Sequence, residues 1–268
     1  MADNALTIGV KELIFLAALL DGETLLGVDD PFDGWLAHQV EEEWEKLSPE
    51  MEAKQYILKS KEGEINVNDS IKGIIKACCF PKGCLMLSRW EKGSRTINNC
   101  YYILKDIVIE KVDLKPQVNC SLQELQSPSE VIEKVEQSIP LSVLDSNNYN
   151  SYEVLSSVIG SIRDYKSNEK DHAAALLSEK CPEIANPFLL VDALIEPHSY
   201  TILILSNLEK ETANSYGVSI LEGKKTVWKM RSFKRSGEEF LEIEQCNNEI
   251  LSNEFEKLNT KVKSIATN

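Results

Sequence analysis

The apolar positions of this chain change period in the same way twice. In ACCFPKGCLMLSRW (77–90) a helical run meets Pro81 and gives way to an extended apolar run. In ALIEPHSYTILILS (193–206) the same change occurs at Pro197. Proline disfavours helix in the residue before it and lacks an N–H, so each is a natural helix stop. Ahead of Pro81, Ile71, Ile74, Ile75 and Cys78 share one helical face, with Asp69 as the candidate cap. Ahead of Pro197, Pro187 opens the apolar helix FLLVDALIE.

The remaining segments extend this plan. A first amphipathic helix is expected from about Gly9 to Leu20, closed by Asp21-Gly22. Asp29-Asp30-Pro31 predicts the start of a second helix, carrying Phe32, Trp35, Leu36 and Val40. Ser48-Pro49 repeats that start signal and predicts a third, ending near Lys59. Ile65 and Val67 alternate after the turn residue Gly63. CLMLSRWE predicts a strand, and NCYYILKDIVIEKVD predicts two strands split near Lys105-Asp106. Helix resumes at Ser127-Pro128-Ser129-Glu130, with Val131, Ile132 and Val135 apolar.

After the polar stretch DSNNYNS, SYEVLSSVIGSIRDY and HAAALLSEK have helical spacing. YTILILSN predicts a strand, and SYGVSILEGKKTVWKMRSF a pair of strands turning at Glu222-Gly223. EEFLEIEQCNNEILSNEFEKLNTKVKSI closes the chain as a helix.

Each half therefore spells helices, a proline, three strands and a helix. The halves are residues 1–144 and 151–268, with 145–150 as linker. Pro81 and Pro197 lie 116 residues apart, and Tyr101 and Tyr216 lie 115 apart. The matching order of elements suggests an internal duplication. A three-stranded unit exposes its edges, and joining two along an edge removes that exposure. The expected fold class is α+β: a pseudo-two-fold antiparallel sheet of about six strands flanked by helical bundles.

Charge and chemistry narrow the function. The net charge of −14 sets the chain against phosphate backbones and anionic membranes and favours a basic or apolar protein partner. Only Lys72 and Lys76 are basic in DSIKGIIKACC, too few for a DNA-reading helix. Lys11 and Glu12 interrupt the opening apolar stretch, which reads as an amphipathic helix rather than a leader or a membrane span. The seven cysteines are odd in number and irregularly spaced, which fits reduced core thiols in a cytoplasmic protein. Cys78, Cys79 and Cys84 lack zinc-site spacing, and His38, His172 and His198 lie far from them in sequence. No nucleophile, phosphate-loop or dinucleotide motif occurs, so no catalytic, cofactor or metal site is expected. Trp44, set in EEEWEK, is a candidate exposed interface aromatic.

Two passages resemble the EspG-type chaperones of type VII secretion: LTIGVKELIFLAALL, an extended lead-in before an amphipathic helix, and YILKSKEGEINVNDSIKGIIKACCFP, a helix, glycine turn, helix and proline-bounded entry into the sheet. The two-part αβ plan is similar as well. The resemblance implies a non-catalytic cytoplasmic chaperone or adaptor that holds a helical partner, a secreted effector or helical-hairpin protein, before export. Its partner contacts would fall on the LEKETAN connection (Leu208, Glu209, Glu211) and the last helix (Phe255, Leu258). The alternative is an immunity protein or antitoxin that neutralises a toxin through its acidic surface.

Overall fold

The computed structural model describes residues 5–23, 25–94, 96–114, 118–139, 151–209 and 214–267. The chain first forms β1 (Leu6–Gly9), α1 (Val10–Ala18), α2 (Ala37–Ala53), β2 (Ile57–Lys59), β3 (Ile65–Val67) and α3 (Asp69–Cys79). It continues with β4 (Gly83–Glu91), β5 (Ile97–Leu104), β6 (Ile107–Asp113), β7 (Asn119–Leu125) and α4 (Glu130–Ser138). The second half comprises β8 (Ser151–Leu155), α5 (Ser156–Arg163), α6 (Lys170–Lys180), α7 (Pro187–Ile195), β9 (Ser199–Asn207), β10 (Asn214–Glu222), β11 (Val227–Arg235), β12 (Glu238–Cys246) and α8 (Asn248–Thr267).

The fold is α+β, but its main sheet has ten strands rather than about six. They are antiparallel throughout, in the order β1-β7-β6-β5-β4-β9-β10-β11-β12-β8, and β2 and β3 form a separate hairpin. The additional strands are those whose pattern is weakest. β1 and β8 have only four and five residues and run straight into helices. β7 was not assigned from the pattern, and β12 lies inside EEFLEIEQC, where the acidic spacing imitates a helix. Pairing explains β12. Lys229, Arg231, Lys234 and Arg235 of β11 stand opposite Glu244, Glu242, Glu239 and Glu238. Opposite charges across a ladder favour the pair.

Other boundaries move for local reasons. Asp29-Asp30-Pro31 opens a turn, and α2 begins only at Ala37. That helix then runs unbroken through Pro49, which is exposed. The segment expected to finish a third helix is β2. Asn68, one residue before the expected Asp69, caps α3 by accepting the Ser70 N–H at 3.0 Å. The turn at Lys105-Asp106 stands where expected, as does the Glu222-Gly223 turn, where the Gly223 N–H donates to the Thr226 carbonyl at 2.8 Å.

β4 and β9 join the two halves through nine residue pairs, from Gly83 opposite Asn207 to Glu91 opposite Ser199. Leu87 faces Leu203 at the centre, a displacement of 116 residues. Outward from this pair the strands follow in matching chain order, β5, β6, β7, β1 on one side and β10, β11, β12, β8 on the other. The ladder does not equate Tyr101 with Tyr216. Tyr101 pairs with Leu85, whose counterpart Thr201 pairs with Ile220.

Alternation divides the sheet's side chains between two faces. On one, Leu85, Leu87, Tyr101, Leu203, Leu205 and Ile220 pack beneath α4 and α8. On the other, α1 and α3 cover the first half around Leu13, Leu16, Ile75 and Tyr102. A separate cluster covers the second half, with Val158, Ile162, Leu177 and Leu190 packed on Trp228 and Met230. No helix among the described residues is long and apolar enough to cross a membrane.

An ionic network fixes α8. Glu254, almost fully buried, accepts from Arg231 and from the Tyr216 hydroxyl, and Lys229 lies at 3.7 Å. Burial works to raise the Glu254 pKa, but the hydrogen bonds from Arg231 and Tyr216 hold it below the usual carboxylate value. Glu254→Ala should destabilise the fold by about 3 kcal/mol, because Arg231 loses its buried counter-charge, while Lys229 keeps Glu244. A pKa depressed in the folded state gives stability present above the unfolded carboxylate range and lost as pH falls through the folded value. Urea titrations from pH 7 downward should therefore show the wild-type excess over the variant shrinking only in acid. An excess unchanged by acid would contradict the assignment.

Six of the seven cysteines are buried, and Cys79 is half-buried. Burial pushes the thiols of Cys79, Cys120 and Cys181 up to about 11 and that of Cys246 up to about 12. An aromatic disulfide reagent at pH 8 should modify the native chain slowly and all seven cysteines rapidly in denaturant. Rapid native labelling of any of these four would contradict the packing.

Candidate partner-binding cleft

The two helical clusters on the second face leave its centre partly open. There β4 presents Met86, Ser88 and Trp90, and β9 presents Tyr200, Ile202 and Ile204. Their neighbours Leu87 and Leu203 point to the opposite, buried face. Sheet alternation thus puts an apolar strip at the join of the halves. Trp90, with 39% of its surface exposed, marks one end of it.

The strip opens into a cleft on each side of the central pair, and their floors occupy equivalent ladder positions. In the first half the floor is Met86, Ser88, Asn98, Cys100 and Lys111. In the second it is Ile202, Ile204, Gly217, Ser219 and Met230. Met86 pairs with Cys100 and Ser88 with Asn98, as Ile202 pairs with Ser219 and Ile204 with Gly217. The same backbone therefore carries two clefts of similar mixed character, with Asn98, Lys111 and Asp113 supplying polar groups in the first and Arg163, Ser219, Ser232 and Glu239 in the second.

They differ in what the chain lays beside them. The chain's own loop, from Leu25 to Asp29, sits over the first cleft. The Tyr102 hydroxyl donates to the Leu26 carbonyl at 2.6 Å, and the Lys111 ammonium to the Gly27 carbonyl at 2.9 Å. Gly27 has φ +67, and a Cβ there would stand 2.1 Å from the Cys100 sulfur, so only glycine fits this close approach. By ladder position, Leu221 and Met230 replace these two donors in the second half. Neither can hold a carbonyl.

The second cleft, about 360 Å³, is walled by Ser156, Ile159, Gly160 and Arg163 of α5. Nothing lies within 4 Å of where a Cβ would be on Gly160 or Gly217, so both sides are unobstructed. Arg163 stacks over Tyr200 at 5.0 Å from the ring centroid. These two residues continue into a shallower hollow formed with Trp90, Ile195, Pro197 and Leu221. Together they form a trough with an apolar floor at Ile202, Ile204 and Met230 and with both the Arg163 guanidinium and the Glu239 carboxylate in its lining, suited to apolar side chains of a partner with polar groups nearby.

The residues proposed from the sequence lie elsewhere. Leu208 is 41% exposed at the start of the β9–β10 connection, where its N–H donates to the Lys82 carbonyl at 2.8 Å. Glu209 pairs with Lys82 at 2.7 Å. Glu211 lies outside the described residues. Phe255 and Leu258 are 5% and 1% exposed, and both hold α8 against the sheet. Being packed inward, they offer no surface to a partner. Trp44 is half-buried against Phe15, ring centroids 5.2 Å apart. The trough escaped sequence reasoning although YTILILSN was recognised as a strand, because a strand's pattern does not say which face a helix leaves uncovered.

His38, His172 and His198 are all exposed, whereas Cys78 and Cys84 are core residues. Among the described residues no three of His, Cys, Asp and Glu are grouped to hold a metal ion.

No protein-family model and no curated protein matches the chain. Among solved structures it is similar to the Mycobacterium tuberculosis type VII secretion system chaperone EspG5, determined in complex with the PE25–PPE41 dimer. The two share 10% identity, the alignment covers 94% of this chain and 95% of that one, and the TM-score is 0.63. At that identity the likeness establishes the fold, and this chain has an EspG-like fold over nearly its whole length.

Proposed function

We propose that the protein is a non-catalytic cytoplasmic chaperone or adaptor that binds a helical secretion substrate of type VII kind before export. The observation that carries this reading is the likeness, across nearly both whole chains, to a chaperone solved with its bound dimer. The trough of the second half supports it. An apolar depression with a polar rim is the surface needed to shield an apolar helix end, and an acidic chain stays soluble while exposing one. In this reading the two halves act as related copies of one αβ unit, the first cleft walled by the chain's own loop and the second kept for the partner. Leu208 and Glu209, at the Lys82 end of β9, would extend the contact along the sheet.

The test is co-expression with candidate helical-hairpin secretion substrates, followed by co-purification and titration of the complex. Gly217→Trp fills the cleft at an exposed position without touching the core and should weaken binding by about tenfold or more. Arg163→Ala should weaken it less and reduce its salt dependence. Unchanged affinity in both variants, with folding verified by melting, would remove the trough from the interface. Failure of every such substrate to bind would remove the chaperone reading.

A further inference from the structure

The acidity of the chain is concentrated in one place. Residues 10–53, from α1 through α2, contain 12 acidic and 2 basic residues, a net −10 of the chain's −14. The corresponding segment of the second half, residues 156–180 from α5 through α6, contains 4 acidic and 4 basic. The two segments cover equivalent parts of the same sheet face, so the fold itself does not call for the excess. Solubility alone would be served by spreading it.

The excess lies on an unpartnered surface. Only Ser48 and Met51 of α2 are fully buried, while Glu41, Glu42 and Glu45 are exposed on its outer side. Asp29, Asp30 and Asp33 are exposed in the turn before it. None of these six has a cation in ion-pair range among the described residues, whereas the neighbouring Glu43 is held by Lys11 and Lys46. Like charges this close repel one another, a standing cost that a cationic partner would relieve.

An apolar anchor stands at the same place. Trp35 and Leu36, just before α2, are 39% and 63% exposed. Trp35 is already fixed, edge-on to Phe32 at 5.4 Å with the Lys11 ammonium 4.7 Å from its ring centroid. Phe32 in turn packs on Phe15. A rigid, exposed aromatic between the Asp29–Asp33 turn and the acidic helix loses little entropy on binding.

We propose that the outer face of α2 and the Trp35–Leu36 turn form a second docking surface, for a basic amphipathic segment of a partner protein. Its Lys or Arg side chains face Glu41, Glu42, Glu45 and the three aspartates, and an apolar residue rests on Trp35 and Leu36. This surface is separate from the trough and does not depend on the chaperone reading.

The probe is a fluorescently labelled, amidated helical peptide of about 18 residues with Lys along one face and two Leu beside it, compared with a counterpart bearing Glu for Lys. The Lys peptide should bind with an affinity that falls as salt rises, and the Glu peptide should not bind. Glu41→Gln/Glu42→Gln/Glu45→Gln and, separately, Trp35→Ala/Leu36→Ala should each weaken binding about tenfold. Asp164→Asn/Asp171→Asn/Glu183→Gln, three neutralisations on the second half, should leave it within about twofold. Gly217→Trp should leave it unchanged, which separates this surface from the trough. Melting curves establish that each variant is folded. The proposal is overturned if the Lys peptide fails to bind, if the Glu peptide binds equally well, if the Trp35/Leu36 variant binds like wild type, or if the control neutralisations cost as much as those on α2.

Discussion

The β4–β9 ladder is the interaction on which the rest of this molecule depends. Nine residue pairs convert two five-stranded sheets, each with an open inner edge, into one ten-stranded sheet. Those inner strands carry long apolar runs, GCLMLSRWE and SYTILILSN, which would invite aggregation if left unpaired. Their pairing also sets the frame for everything laid on the sheet. It aligns Leu85 and Leu87 with Leu203 and Leu205 beneath α4 and α8, and it places the opposite face of the same strands between two helical clusters.

Matching backbones with different side chains then divide the labour. On the first side, Tyr102 and Lys111 hold the chain's own glycine loop as one wall of the cleft. On the second, Leu221 and Met230 stand at the positions of those two donors, and Gly217 leaves the floor open. The difference rests on a few side chains at equivalent ladder positions.

Electrostatics follow the same division. The interior charges of the second half are matched: Glu254 lies among Arg231, Tyr216 and Lys229, and β12's glutamates face β11's cations. The surface of α1 and α2 is not matched, and there the repulsion is borne by side chains that water can screen. Where charge is buried it is paired, and where it is unpaired it is exposed. The burial cost of an ion requires the first, and screening by water permits the second.

The sequence by itself determined the helix stops at Pro81 and Pro197, the turns at Lys105-Asp106 and Glu222-Gly223, the apolar strands β4, β5, β6, β9, β10 and β11, and the α+β class. These depend on proline, glycine and side-chain period, all of which act within a few residues. Only the tertiary structure decided that EEFLEIEQC is largely strand, since its glutamates find their counter-charges on β11 and a charged period alone does not distinguish strand from helix. Only the tertiary structure buried Phe255 and Leu258 while exposing Trp35 and Leu36, and it alone opened the trough at Ile202, Ile204 and Gly217. A side chain's exposure is set by what other segments of the chain cover it, and that information lies a hundred residues away from the side chain itself.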